Sequence, residues 1–237
     1  LYQRVSAACE QLRLGEEEIQ QDCSLESGTL FVGVSETALH LLLLEKLSTF
    51  HACYPGVRLC ITNNSTPQAI ASLVNGQADF AVVTTPHQAR KPLRITQLLR
   101  FREVLVCGPQ HRELSLQTMS LRELSSHSFV CVGGGSGTYD FYQQLFMRHN
   151  LPFRVDMEAA TMDQVLPMIR HGLGIGFCPE AMAAPAIAAG DVCRIPLRER
   201  IPERNVCLIE DASRPQSVAM KALKDLLCQP PAGESPS

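Results

Sequence analysis

The sequence predicts an α/β protein of two small lobes, and three observations carry that reading. Short apolar runs stop at hydroxyl residues and hand over at once to helical periodicity, as where Leu30 to Val34 meets Ser35-Glu36-Thr37 and then Leu39 to Leu44. Strand, helix, strand, helix, strand in that order requires parallel pairing through right-handed crossovers. The pattern then restarts after Gly108, and a chain of 237 residues, 45% apolar, can bury one large core or two modest ones.

At the start, Leu1, Val5, Ala8, Leu12 and Ile19 fall four and three apart with Gly15 in the seam, a heptad stripe on a helix that reads as linker and dimerisation element over residues 1–27. The opening strand follows. Leu43, Leu47, Phe50 and Tyr54 mark one helix face, stopped by Pro55-Gly56. Val57 to Ile61 is a strand ending in Asn63-Asn64-Ser65-Thr66, with Thr66 read as the cap and Pro67 as the first helical residue. Ile70, Leu73 and Val74 give the next helix its apolar face, and Ala78 to Val83 is a buried strand running out into Thr84-Thr85. Leu93 to Leu99 and Phe101 to Cys107 are two more strands, after which Gly108-Pro109 reads as the crossing into the second lobe.

There Ser128 to Val132 is a strand, Gly133 to Thr138 a glycine-rich turn, and Tyr139 to Asn150 a helix anchored by Phe141, Leu145 and Phe146. Arg154 to Glu158 is a strand, Met162 to His171 a helix closed by Gly172, and Ile175 to Cys178 a short buried strand. Val192 to Ile195 and Val206 to Ile209 are further strands and Ser217 to Leu227 the last helix. The expected division is therefore residues 28–108 with 211–229 for the first lobe and 109–210 for the second, with a disordered tail at 230–237 rich in Pro and Ser.

Composition narrows the function. A net charge of −3 and a pI near 6.2 speak against a nucleic-acid surface, which needs clustered Lys and Arg. The ten cysteines are dispersed, lack a C-x-x-C, and sit mostly inside apolar runs, which reads as a reduced cytoplasmic protein. There is no apolar run of membrane-spanning length and no signal segment; the start at Leu1-Tyr2-Gln3 reads as a fragment of something longer. The seven histidines show no metal-ligand spacing. Gly133 to Gly137 has the setting of a phosphate loop but not its fingerprint: Thr138 stands where a third Gly belongs and no Lys follows. The same Thr138 breaks a G-x-S-x-G elbow at Ser136. No cofactor, no metal and no catalytic pair is expected.

The ends of the first three strands deliver Ser35, Glu36, Thr37, Thr66, Thr84 and Thr85 to one sheet edge, where helix N-termini offer free N–H groups. Gly134 and Ser136 belong to the facing turn. Capping is the plain reading of Ser35, Thr66 and Thr85, and it is compatible with ligand binding. No Arg or Lys is expected in this inner wall.

Four segments in order resemble the effector-binding region of the LysR-type transcriptional regulators: Gly28 to Val34, Phe50-x-x-x-Tyr54-Pro55-Gly56-Val57-x-Leu59, Leu73-x-x-Gly76-x-x-Asp79-Phe80-Ala81-Val82, and Gly172-Leu173-Gly174-Ile175-Gly176-Phe177-x-Pro179. The resemblance implies two Rossmann-like lobes of the type II periplasmic-binding-protein kind, an effector in the cleft between them, and self-association as a homodimer or homotetramer. It implies contact with DNA only through a helix-turn-helix domain that this sequence lacks, and no membrane. It also places Phe177 and Cys178 at the cleft, as its apolar side. Cys178 and Cys193 do not match the spacing of the family's peroxide sensors. Met168-Ile169-Arg170-His171 departs from the small apolar residues usual before the Gly, which implies polarity near the cleft rim. A solute-binding protein of the same fold is the rival reading.

Overall fold

The computed structural model describes residues 27–229. The expected heptad helix and the Pro/Ser-rich tail lie outside the described residues. Two five-stranded sheets organise the rest, in the orders β2-β1-β3-β10-β4 and β7-β6-β8-β5-β9.

In the first sheet β1 (Gly28–Val34) pairs in parallel with β2 (Val57–Asn63) and β3 (Phe80–Thr84), as the crossover argument requires. Helix α1 runs from Glu36–Ala38 through a π turn at Leu39–Leu43 into Leu44–Cys53. It buries Leu42, Leu43 and Phe50 against β1 and against α7 (Val218–Cys228), whose Met220, Leu223 and Leu227 complete that core. On the opposite face α2 (Thr66–Val74) packs Ala69 and Leu73 on Ala81, Val83 and Ile209. Gly33 sits directly under Ala69, where a Cβ would meet it at van der Waals contact, 3.4 Å. Val74, expected on the buried face, is 54% exposed. The cap of α2 is Ser65 rather than Thr66: Gln68 reaches back to accept from the Ser65 N–H at 3.0 Å, and Thr66 is the first helical residue.

The second lobe holds β5 (Glu103–Cys107), α3 (Leu121–Leu124), β6 (Phe129–Val132), α4 (Gly137–Arg148), β7 (Val155–Ala159), α5 (Met162–Arg170), β8 (Ile175–Pro179), α6 (Glu180–Ala188) and β9 (Cys193–Ile195). Its core is aromatic. Phe129, Tyr142, Phe146, Phe153 and Phe177 form a cluster in which Tyr142 and Phe177 stack at 4.7 Å and Phe129 and Phe146 meet edge to face at 5.4 Å.

The expected lobe boundaries move. β4 (Leu93–Phe101) pairs in the first sheet, but β5 already lies in the second, so the chain crosses at Arg102 and not after Gly108. It returns before β10 (Arg204–Asp211), which runs antiparallel between β3 and β4, and not after Glu210. The physical reason is that β4 and β5 are separated by a single residue. A run of two strands with no turn signal between them reads as one unit, and only pairing decides that they belong to different sheets. The two crossings are held side by side where Arg102 Nε donates to Glu203 Oε1 at 3.0 Å. Helix α6 was not expected: Pro185 interrupts its sequence and small apolar residues surround it, so it has no periodic face to read.

Candidate functional site

Between the two sheets lies a cleft of ≈ 160 Å³ lined by Ser35, Glu36, Thr37, Asn63, Asn64, Ser65, Thr66, Gln68 and Thr84 from the first lobe and by Val132, Ser136, Gly137, Thr138, Ala160, Thr161 and Met162 from the second. Four helices, α1, α2, α4 and α5, begin at this cavity, with Ser35, Ser65, Ser136 and Thr161 as their N-caps. Unpaired backbone N–H groups and the positive ends of the helix dipoles therefore face one small space. A groove of ≈ 670 Å³ also opens beside β5 and β9, but its charges are spent on one another, as in Arg194 with Glu180 at 2.7 Å and Arg102 with Glu203 at 3.0 Å. Size alone does not make it the better candidate.

The expected residues separate into three groups. Ser35, Glu36, Thr37, Thr66, Thr84 and Ser136 line the cleft. Thr85 does not; its carbonyl accepts from Arg204 Nε at 2.7 Å and its hydroxyl from the Asn205 N–H at 2.9 Å, which ties β3 to β10. Gly134 is exposed on the glycine turn, outside the lining. Phe177 and Cys178 are buried in the second core, each 2% exposed, and neither lines the cleft; the Phe177 ring packs among Phe129, Tyr142 and Phe146. They lie on β8, the central strand of the second sheet, packed into its core, and the apolar side of the cleft comes instead from Val132 and Met162.

Among the hydroxyls in the lining, Ser35 Oγ is buried, makes no capping bond and has no hydrogen-bond partner among the described residues. Ser136 is the reverse. Its Oγ accepts from the Tyr139 N–H at 3.1 Å and donates to the Gly133 carbonyl at 2.9 Å, so capping occupies it. The Glu36 carboxylate is held by His40 Nε2 at 2.8 Å and by the Asn63 side-chain amide, which turns its charge toward partners of its own lobe. Thr66 Oγ1 donates to the Thr84 carbonyl at 3.4 Å.

The residues lining the cleft include no Arg or Lys, but Arg204, 1% exposed, lies directly behind it, bonded to two of the lining threonines. Its Nη1 donates to Glu103 Oε1 at 2.6 Å, and its Nη2 donates to Thr84 Oγ1 and to Thr138 Oγ1 at 3.0 Å each. The rings of Phe101 and Phe141 flank the guanidinium at 5.4 and 4.9 Å. One side chain thus bonds both lobes. Nothing in the sequence near Arg204 announces this, because a charged residue opening a strand after Pro202-Glu203 reads as a solvated end.

Arg170 and His171, expected near the rim, close the far end of α5. Arg170 pairs with Asp191 at 3.1 Å and His171 Nδ1 meets the Pro167 carbonyl at 2.8 Å. The buried cysteines are held as thiols. Burial pushes the Cys131 thiol up to about 12 and the Cys107 thiol up to about 11, and raises Cys178 further. All eight cysteines of the described region are free.

The family model described as the LysR substrate binding domain matches residues 24–229. The chain belongs to that family. Among its relatives is a probable RuBisCO transcriptional regulator of Cyanophora paradoxa, 25% identical over 198 residues, which are 81% of this chain and 60% of that protein. The chain therefore spans about three fifths of that relative's length. Similar solved structures include the CcmR regulatory domain of Synechocystis PCC6803 in complex with 2-PG, with a TM-score of 0.76 and 22% identity, covering 85% of this chain and 96% of that one. The effector-binding domain of QuiR in complex with shikimate has a TM-score of 0.73 at 18% identity, covering 86% of this chain and 96% of that one. The two-sheet architecture is the type II periplasmic-binding-protein fold of LysR regulatory domains. Among the described residues no helix is long and apolar enough to cross a membrane.

Proposed function

We propose that the chain is the effector-sensing and oligomerising region of a LysR-type transcriptional regulator, acting in the cytoplasm without catalytic activity, and that it takes a small carboxylate or other anion into the cleft between its lobes. The observation that carries this reading is the buried, unpartnered Ser35 hydroxyl at a cavity where four helices begin. Such a wall compensates negative charge with many fixed dipoles, and Val132 and Met162 supply contacts for a compact apolar body. The named relatives are transcriptional regulators, and CcmR and QuiR hold 2-PG and shikimate, which supports a small-molecule effector here.

Effector binding shifts the population toward one arrangement of the lobes, and the assembled dimer or tetramer passes that preference to a DNA-binding helix-turn-helix domain outside this sequence. Native mass spectrometry of the purified chain tests both halves of the reading. The expected spectrum shows a dimer or tetramer carrying a small acidic ligand, or taking one up from an added panel of carboxylates. A bare 26.1 kDa monomer that takes up no member of the panel counts against it.

A further inference from the structure

We propose that Arg204 is a positioning residue that sets the cleft's selectivity for anions by turning the hydroxyls of Thr84 and Thr138 into a pair of hydrogen-bond donors aimed into the cavity. The inference rests on the cleft reading above and names the device that would recognise charge there. Arg204 has donors and no acceptor, so each hydroxyl that meets Nη2 at 3.0 Å must accept from it. Each hydroxyl then keeps one proton to give. Among the described residues neither proton has a protein acceptor, and both residues line the cleft.

Thr84 is 2% exposed, so its proton has little access to bulk water, and the cavity it lines is where an acceptor can reach it. The two threonines come from opposite lobes, the end of β3 and the first turn of α4, so an anion accepting from both bridges the lobes.

The buried ion pair is oriented to reinforce this. Nη1 faces Glu103 while Nη2 faces the two hydroxyls, so the pair presents its positive end to the cleft and keeps its negative end behind. Phe101 and Phe141 flank the guanidinium and limit the solvent that would otherwise screen it. A neutral ligand lacking a strong acceptor gains little from such a wall. A carboxylate or phosphate oxygen gains two donors and a favourable field.

Bromide is the probe, because it is a bare anion that anomalous scattering locates. In crystals of the full chain soaked in sodium bromide, an ion is expected within hydrogen-bond distance of both Thr84 Oγ1 and Thr138 Oγ1. In solution, bromide NMR line broadening then reads affinity. Thr84→Val with Thr138→Val should weaken binding by roughly a hundredfold, about tenfold for each hydrogen bond to the anion that is lost.

Glu103→Gln keeps an oxygen for Nη1 but removes the opposing charge, and it should tighten bromide several-fold. A purely structural ion pair would give no such gain. Replacing both members together, Arg204→Met with Glu103→Met, should weaken bromide without leaving a charge unpaired; if that variant does not fold, the threonine and glutamine variants decide. Bromide seated elsewhere in the cleft, with affinity unmoved by the threonine variants, overturns the assignment while leaving the anion-binding cleft standing. No tightening in Glu103→Gln overturns the role given to the ion pair. The cleft reading itself is judged by the mass-spectrometric experiment above.

Discussion

Ser35 and Ser136 occupy equivalent places, each the N-cap of a helix that opens on the cleft, yet their chemistry differs. The Ser136 hydroxyl is occupied by its own turn and helix, so Ser136→Ala should lower the stability of the unliganded chain by about 1 kcal/mol and change affinity little. The Ser35 hydroxyl is free, so Ser35→Ala should leave the melting temperature nearly unchanged and weaken a bound carboxylate several-fold in calorimetry. Arg204→Met alone should cost about 3–5 kcal/mol of stability in urea titration, because it strands the Glu103 carboxylate in the interior.

The buried thiols give a pH dependence whose sign is fixed. An unfolded Cys131 ionises near its ordinary value of 9.0, while the folded thiol stays protonated to about 12, so above pH 9 the unfolded chain holds fewer protons and stability falls with rising pH. At pH 10 this one residue contributes a loss of roughly 1 kcal/mol. Urea midpoints measured at pH 7 and pH 10 should therefore converge in Cys131→Ala relative to the parent chain.

At the level of elements, the site is a meeting of helix N-termini, and its precision depends on how closely α4 approaches the other lobe. A Cβ on Gly137 would stand 2.8 Å from the Pro86 carbonyl, so Gly137→Ala must push α4 and the Thr85–Gln88 segment apart. The expected result is a weaker effector affinity and a lower melting temperature, read by calorimetry and thermal unfolding; unchanged affinity would show that the approach is not part of the site. The strand ends that carry Ser35, Thr66 and Thr84 were legible because buried strands stopping at hydroxyls have a strong pattern. Their convergence followed from the parallel order of β1, β2 and β3. What was hidden depends on contacts far apart in the chain. Arg204 reaches Thr84 and Glu103 across 120 and 101 residues. Cys178 looked like a cleft residue only through the resemblance, and its place in the middle of a buried sheet is set by pairing with Val104.

For the whole molecule, self-association is the property on which the proposed regulation depends. Sedimentation at tens of micromolar should show a species larger than the 26.1 kDa chain. The passage of the chain between lobes also dictates an order of assembly during synthesis. β4 pairs with β10 alone, and β10 fills the place between β3 and β4, so the first sheet stays open until residue 211 has been made. The second sheet needs only residues 103–195, an uninterrupted stretch. The lobe begun first on the ribosome is therefore finished last, and a chain terminated and released near residue 200 would carry a closed second lobe beside an exposed β3 and β4. Limited proteolysis of such truncated chains should spare residues 103–195 and cut within residues 85–101, and these chains should be ready clients for chaperones that hold unpaired strand edges.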